Sequence, residues 1–455
     1  MMAYITLVIF SFQFPFFWDN VLQASAVAHF YYDTHFSSFL LPEKMDAGHP
    51  PFWGLAVALL WKILGKSLWV GHALILPFAC GIVWQTYRIV NWAIEPKWRP
   101  LTMIVLLSDP TLLAQITQVS PDVALLFFFL WAVASIIKRE HMPLALAALG
   151  ITLFSLRGSV LCFELFLIFL LYRMGNKQMH LKALLLPFVP ALLFVSAYYG
   201  YHFLARGWIR YHEDSSWETQ YTMVNLMQLI KNAAVITWRI LDFGRLFIWA
   251  VLLGVLIKFG AKRLWQDYKF RTLLMVYLCC FPLLLFLLFS SEFILHRYLM
   301  NIFLLSALLF CFIFFHTNAI KDVIKYWIAI VLIVGLWTGN LWVYPKKIST
   351  GWDSTLAHIP YYSLYSEMLQ SIDYEFKIPV DQIGSAFPND APIEIQRFGN
   401  DYRVFPEKKL ETQKHILYCN VYNDFSDDEL NYLIQSWTPI KTLHKGSVWL
   451  ILYKK

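Results

Sequence analysis

Phe17-Trp18-Asp19-Asn20 and, further on, Lys44-Met45-Asp46-Ala47-Gly48-His49-Pro50-Pro51-Phe52-Trp53 enclose the stretch whose reading decides the fold. It follows directly on the first apolar run, 4–17, and sets Asp19, Asp33, Glu43, Asp46 and His49 among Trp, Tyr and Phe. An ionisable group costs roughly 2.5–3.5 kcal/mol at a bilayer centre on insertion scales, so such a cluster belongs at a membrane–water boundary. Acids and a histidine beside aromatics at that depth can make a site for a polar substrate arriving on a lipid.

The rest of the chain supplies the membrane part. Of its 455 residues 58% are hydrophobic and only 15% charged, with mean hydropathy +0.53. Soluble domains carry about 25% charged residues. The net charge of +7 sits mainly in loops of one set, which reports topology and not nucleic-acid binding. Five of six cysteines lie in apolar runs and Cys419 stands alone in the polar tail, so no disulfide framework is implied. The 3–17 run lacks a cationic leader and a small-residue cleavage site before Asp19, and reads as a retained helix.

Apolar runs of spanning length fall at 3–17, 69–90, 100–117, 121–137, 142–156, 158–173, 182–203, 243–258, 272–290, 298–316 and 324–343. The run Phe52–Leu64 is shorter and contains Lys62. If it lies along the interface, alternate connections are all basic: Arg88 to Arg99, Lys138-Arg139, Arg173 to Lys182, Lys258 to Arg271, and Lys321 to Lys325. That is the pattern of cytoplasmic loops. The opposite set holds 18–68, Ser120-Pro121-Asp122, Arg157, the 204–242 loop with Glu213, Asp214 and Glu218, and Glu292 to Arg297. The expectation is an α-helical polytopic membrane protein with about eleven transmembrane helices, interfacial helices in its outer first loop, and its N-terminus inside.

Beyond a membrane domain at 1–344, the segment 345–455 changes composition and reads as a small extracytoplasmic α/β domain. His415 to Val421 suits a strand, Ser426-Asp427-Asp428-Glu429 a capped helix start, and Lys441 to Lys455 a hairpin turning at Lys445-Gly446.

Asp19, Asp46, His49, Asp122, Arg157, Glu292 and Arg297 flank different spans on one face. Each has a plain alternative: Asp122 as a helix-start acid after Pro121, Arg297-Tyr298 as an interfacial anchor, His49 as the residue before a Pro-Pro helix start. Asp109, beside Pro110 within a span, is either a buried paired acid or a site residue. Seven separate plain explanations on one face are harder to sustain than one shared site.

These residues resemble the polytopic glycosyltransferases of the GT-C class, above all bacterial relatives of protein O-mannosyltransferases and lipid A aminoarabinose transferases. The resemblance rests on Trp18-Asp19-Asn20 after the first run and on Gly48-His49-Pro50-Pro51-Phe52-Trp53 before a helix ending Ile63-Leu64-Gly65. Ser120-Pro121-Asp122-Val123 opening a span and Arg297-Tyr298-Leu299 opening a late one complete it. The chain departs from the family twice: Asn20 stands where a second acid often follows the first, and His49 where the aminoarabinose transferases place a metal-binding glutamate.

The resemblance implies transfer of a sugar from a polyprenyl-phosphate donor to a hydroxyl of a lipid, glycan or protein. The reaction would be inverting, on the periplasmic face of a bacterial inner membrane. It assigns Asp19 as base and Asp122 as the acid orienting substrate, with Arg297 and Arg157 on the phosphate through their fork geometry. Trp18, Trp53 and Tyr298 are candidate sugar contacts, and Asp46 and His49 candidate substrate or divalent-metal ligands. The rival reading is a transporter or flippase for a lipid-linked glycan. That would place ionisable residues across the midplane and show paired interrupted helices.

Overall fold

The structure, a computed structural model, describes all residues except 176–180, 210–223, 261, 263, 292–293, 318, 345–350 and 423. Glu213, Asp214, Glu218 and Glu292 from the outer set therefore lie outside the described residues, as does Lys177 from the basic set.

Six helices among the described residues are long and apolar enough to cross a membrane: Leu68–Ala93, Pro121–Lys138, Lys182–Arg206, Tyr268–Leu288, His296–His316 and Asp322–Leu341. Leu226–Leu241 and Arg245–Lys258, bent by 87°, would make a seventh if they form one span. The chain is a multi-pass integral membrane protein. The expected 158–173 run forms the 20-residue helix Leu156–Gly175, while two other expected spans are shortened or broken at prolines. The 3–17 run forms a helix only over Met2–Phe10, because Pro15 lacks an N–H and restricts the residue before it. The 100–117 run splits into Arg99–Leu107 and Pro110–Ile116. At the break Asp109 caps the second piece, accepting from Thr111 N at 3.0 Å and Leu112 N at 3.1 Å. The 204–242 stretch, expected as a loop, contains the amphipathic helix Leu226–Leu241. Lys231 and Arg239 interrupt its apolar run and hid it from a hydropathy reading.

Side-chain contacts order the two ends of the bundle. Trp98 stacks on Phe315 at 4.7 Å, Lys97 pairs with Asp322, and Arg88 meets Glu140 at 2.5 Å. These basic connections therefore share one end. At the other end Trp53 Nε1 donates to the Val119 carbonyl at 3.0 Å, and Lys66 Nζ lies 2.9 Å from Glu394. Trp53 stands in the first turn of Phe52–Leu64 and Lys66 just past its last, so both ends of this 13-residue helix contact that end of the bundle. It packs tightly there: a Cβ on Gly54 would come within 2.4 Å of Val27 Cγ1.

The C-terminal segment adds a four-stranded sheet of order β1-β2-β4-β3, with β1 Ile383–Gly384, β2 His415–Cys419, β3 Thr438–Lys445 and β4 Val448–Lys454. β1 and β2 run parallel; β2 with β4 and β4 with β3 are antiparallel. The strand, the helix and the hairpin all form where the pattern set them. Ser426 and Glu429 make a reciprocal capping box at the helix Asp427–Ser436. A second hydrophobic core gathers under this sheet, and two of its members, Phe17 and Trp18, come from the far N-terminal end.

Candidate active site

Arg297 is where distant parts of the chain meet. It sits in the turn His296–Leu299, which leads into the helix Met300–His316, and is 5% exposed. Each edge of its guanidinium faces a different carboxylate. Nη2 pairs with Asp19 Oδ2, Nη1 with Asp353 Oδ2, and Nε with Asp122 Oδ2 at 3.1 Å. Arg157 Nη2 lies 2.7 Å from Asp122 Oδ1, and its guanidinium stands 3.7 Å from the centre of the Tyr298 ring. Two guanidiniums thus face three carboxylates in a largely dry setting. Removing one partner of such a buried pair costs about 3–5 kcal/mol, because the other charge is left stranded.

Local structure explains each placement. Trp18, with φ +51°, turns the backbone sharply before Asp19. A bulky residue holds that conformation only where its surroundings fix it, and the second core buries Trp18. Asp122 follows Pro121 in the first turn of the helix Pro121–Lys138, with its own N–H on Ser120 Oγ at 3.3 Å. Asp353 belongs to the turn Trp352–Ser354. Its carbonyl accepts from Gln115 Nε2 at 2.8 Å and Gln118 Nε2 at 3.1 Å, while Gln118 Oε1 accepts from Asn20 Nδ2 at 3.1 Å. One chain of amides thereby ties the first loop, a helix end of the bundle and the C-terminal segment together. Gly351 allows the turn to come close: a Cβ there would stand 3.0 Å from His296 Nδ1.

Among the sequence-derived residues the structure brings Asp19, Asp122, Arg157, Arg297 and Tyr298 together. Asp46 is elsewhere, accepting from Gly48 N at 2.9 Å and meeting His202 Nε2 at 3.0 Å. His49 lines a cleft with Gln23, Pro51, Trp53 and Pro121. Trp18 and Trp53 are 3% and 2% exposed, so they serve as packing groups here. Asp109 is the buried paired acid, held by Arg245 Nε at 2.7 Å and Nη2 at 2.8 Å. Among the described residues no three His, Cys, Asp or Glu side chains gather as a metal site. Both Asp46 oxygens are engaged by protein groups, Oδ1 by Gly48 N and Oδ2 by His202 Nε2.

Asp353 is the site residue that the sequence reading missed. Its signal was a second Trp-Asp pair, Trp352-Asp353, just beyond the last span as Trp18-Asp19 lies just beyond the first apolar run. The three acids differ in access: side-chain exposure is 15% at Asp19, 4% at Asp122 and 0% at Asp353. Burial pushes the Asp19 carboxyl above the ordinary aspartate range. Arg297 pulls it down, and Asp353 and Asp122 add to the rise.

No family model matches this sequence, and no curated protein does. Two solved structures match along the whole length. ArnT from Cupriavidus metallidurans bound to undecaprenyl phosphate superposes with TM-score 0.54 at 10% identity, covering 99% of this chain and 96% of that one. Its apo state gives TM-score 0.54 at 12% identity over the same shares. The chain shares the fold of that ArnT. At this identity the likeness establishes the architecture, and the chemistry has to come from the residues of this chain.

Proposed function

We propose that the protein is an inverting glycosyltransferase that moves a sugar from a polyprenyl-phosphate donor to an acceptor hydroxyl on the extracytoplasmic side. One observation carries the reading: Asp19, Asp122 and Arg297, from three separate parts of the chain, converge at one end of the bundle. The basic connections at the opposite end support the assignment of sides. That the matched ArnT binds undecaprenyl phosphate supports the class of donor.

The acceptor oxygen attacks the anomeric carbon as the bond from that carbon to the phosphate oxygen breaks, and the electron pair leaves with the lipid phosphate. Asp19, the most accessible acid, takes the hydroxyl proton. Arg297 and Arg157 balance the charge growing on the phosphate, where preorganised donors act most strongly. The cleft beside His49 and Pro121 receives the sugar.

The test is at the phosphate anchor. Arg297→Ala should reduce transfer from a polyprenyl-phosphate sugar by about 10²–10³-fold, read as sugar-modified envelope lipids or glycans by mass analysis at matched expression. Arg297→Lys keeps the charge and loses the fork, and should recover only part. Full activity of the alanine variant removes Arg297 from this role.

A further inference from the structure

The two terminal nitrogens of Arg297 each hold one carboxylate oxygen, from Asp353 and from Asp19. That is a pair of anionic oxygens across a guanidinium fork, the arrangement a phosphate presents with two of its own oxygens. Nε is taken by Asp122 at 3.1 Å, so no edge of the arginine is left over for a further anion. The local charge argues the same way. Three carboxylates against two guanidiniums leave the cluster net negative, which is a poor receptor for a phosphodiester until one acid withdraws.

We propose that the Asp353 carboxylate is a built-in stand-in for the donor's phosphate, so that lipid phosphate binds by displacing the Trp352–Ser354 turn from Arg297. Asp353 is the acid suited to leave. Asp122 is shared with Arg157, and Asp19 is carried on the strained turn at Trp18. Asp353 is supplied by the segment beyond the last span and is held by its own backbone carbonyl on Gln115 and Gln118. Its other carboxylate oxygen accepts from Ser354 Oγ at 3.1 Å, a partner within the same turn that would move with it. The turn is thus a regulatory contact on the donor site, placed by the C-terminal segment. The inference rests on the reading of Arg297 as phosphate anchor.

The experiment measures binding of undecaprenyl phosphate to the full-length protein in detergent, with inorganic phosphate as a competing ligand. Asp353→Asn should tighten binding of the lipid about tenfold or more, given the size of close charge-pair couplings. Gln115→Leu leaves the carboxylate in place and loosens the turn, and should tighten binding by a smaller factor. It decides the matter if Asp353→Asn does not fold. Inorganic phosphate should displace the lipid only at far higher concentration, since it lacks the chain. Unchanged or weaker lipid binding in the folded Asp353→Asn protein, or in Gln115→Leu where that variant must decide, overturns the stand-in while leaving the phosphate anchor intact. Wild-type binding by Arg297→Ala overturns the anchor, and the stand-in with it.

Discussion

Asp19 is buried enough to be basic and open enough to be reached, and those two properties make it testable. As a base it must be ionised, and its carboxyl is held above the usual aspartate range. Transfer, as kcat/KM, should therefore rise with pH through an acid limb above that range. The Asp353 carboxylate raises Asp19, so Asp353→Asn should move the limb to lower pH. Asp19→Asn should cut turnover by about 10²–10⁴-fold and change donor binding far less. A pH profile without this limb, or near-normal turnover by the asparagine variant, moves the base elsewhere. At this scale much of the candidate cluster was legible. Asp19, Asp122, Arg157 and Arg297 each interrupt hydrocarbon at the mouth of a helix, where a charge needs a reason. Asp353 was not legible, because a carboxylate in a polar segment looks solvated until the fold buries it.

Among the elements, the helix Phe52–Leu64 carries the topology, since its two ends decide the side of every later loop. Its packing has little slack. A Cβ at Gly54 would lie 2.4 Å from Val27 Cγ1 and 2.6 Å from Val27 Cβ, so more than a flexible tip would have to give. Gly54→Ala should lower stability by about 1–3 kcal/mol, seen as a reduced thermal midpoint in detergent. Adding Val27→Ala should restore part of the loss. A neutral Gly54→Ala would mean that the helix is free to shift along the interface. The sequence reading found this helix at its observed bounds, yet it missed the breaks at Pro15 and Ser108-Asp109. Average hydropathy does not register a missing N–H. It missed Leu226–Leu241 for the opposite reason, because two cations dilute an apolar face.

The whole molecule is a bundle with a basic end and an acid-rich end, and the second end is roofed by the C-terminal sheet. Cysteines placed at Lys138 and Thr412, both exposed, lie at opposite ends of this arrangement. In intact cells an impermeant thiol reagent should label Thr412→Cys and leave Lys138→Cys unlabelled. The reverse pattern would turn the protein over and put the site on the cytoplasmic side. The C-terminal strands and capped helix were readable from alternation and a serine. Their junction with Phe17 and Trp18 was not, since the pairing joins the two ends of the chain.

That junction also sets a timetable. Asp19 and Arg297 are 278 residues apart in sequence. At about 5–20 residues per second, the ribosome takes roughly 15–55 s to deliver the arginine after the aspartate, and Asp353 comes later still. During synthesis Asp122 soon gains Arg157, while Asp19 waits at the membrane surface without its cation. The buried charge cluster therefore closes only once Asp353 has been made, and a chain that stalls short of Arg297 carries at Asp19 an acid whose partner cation never arrives.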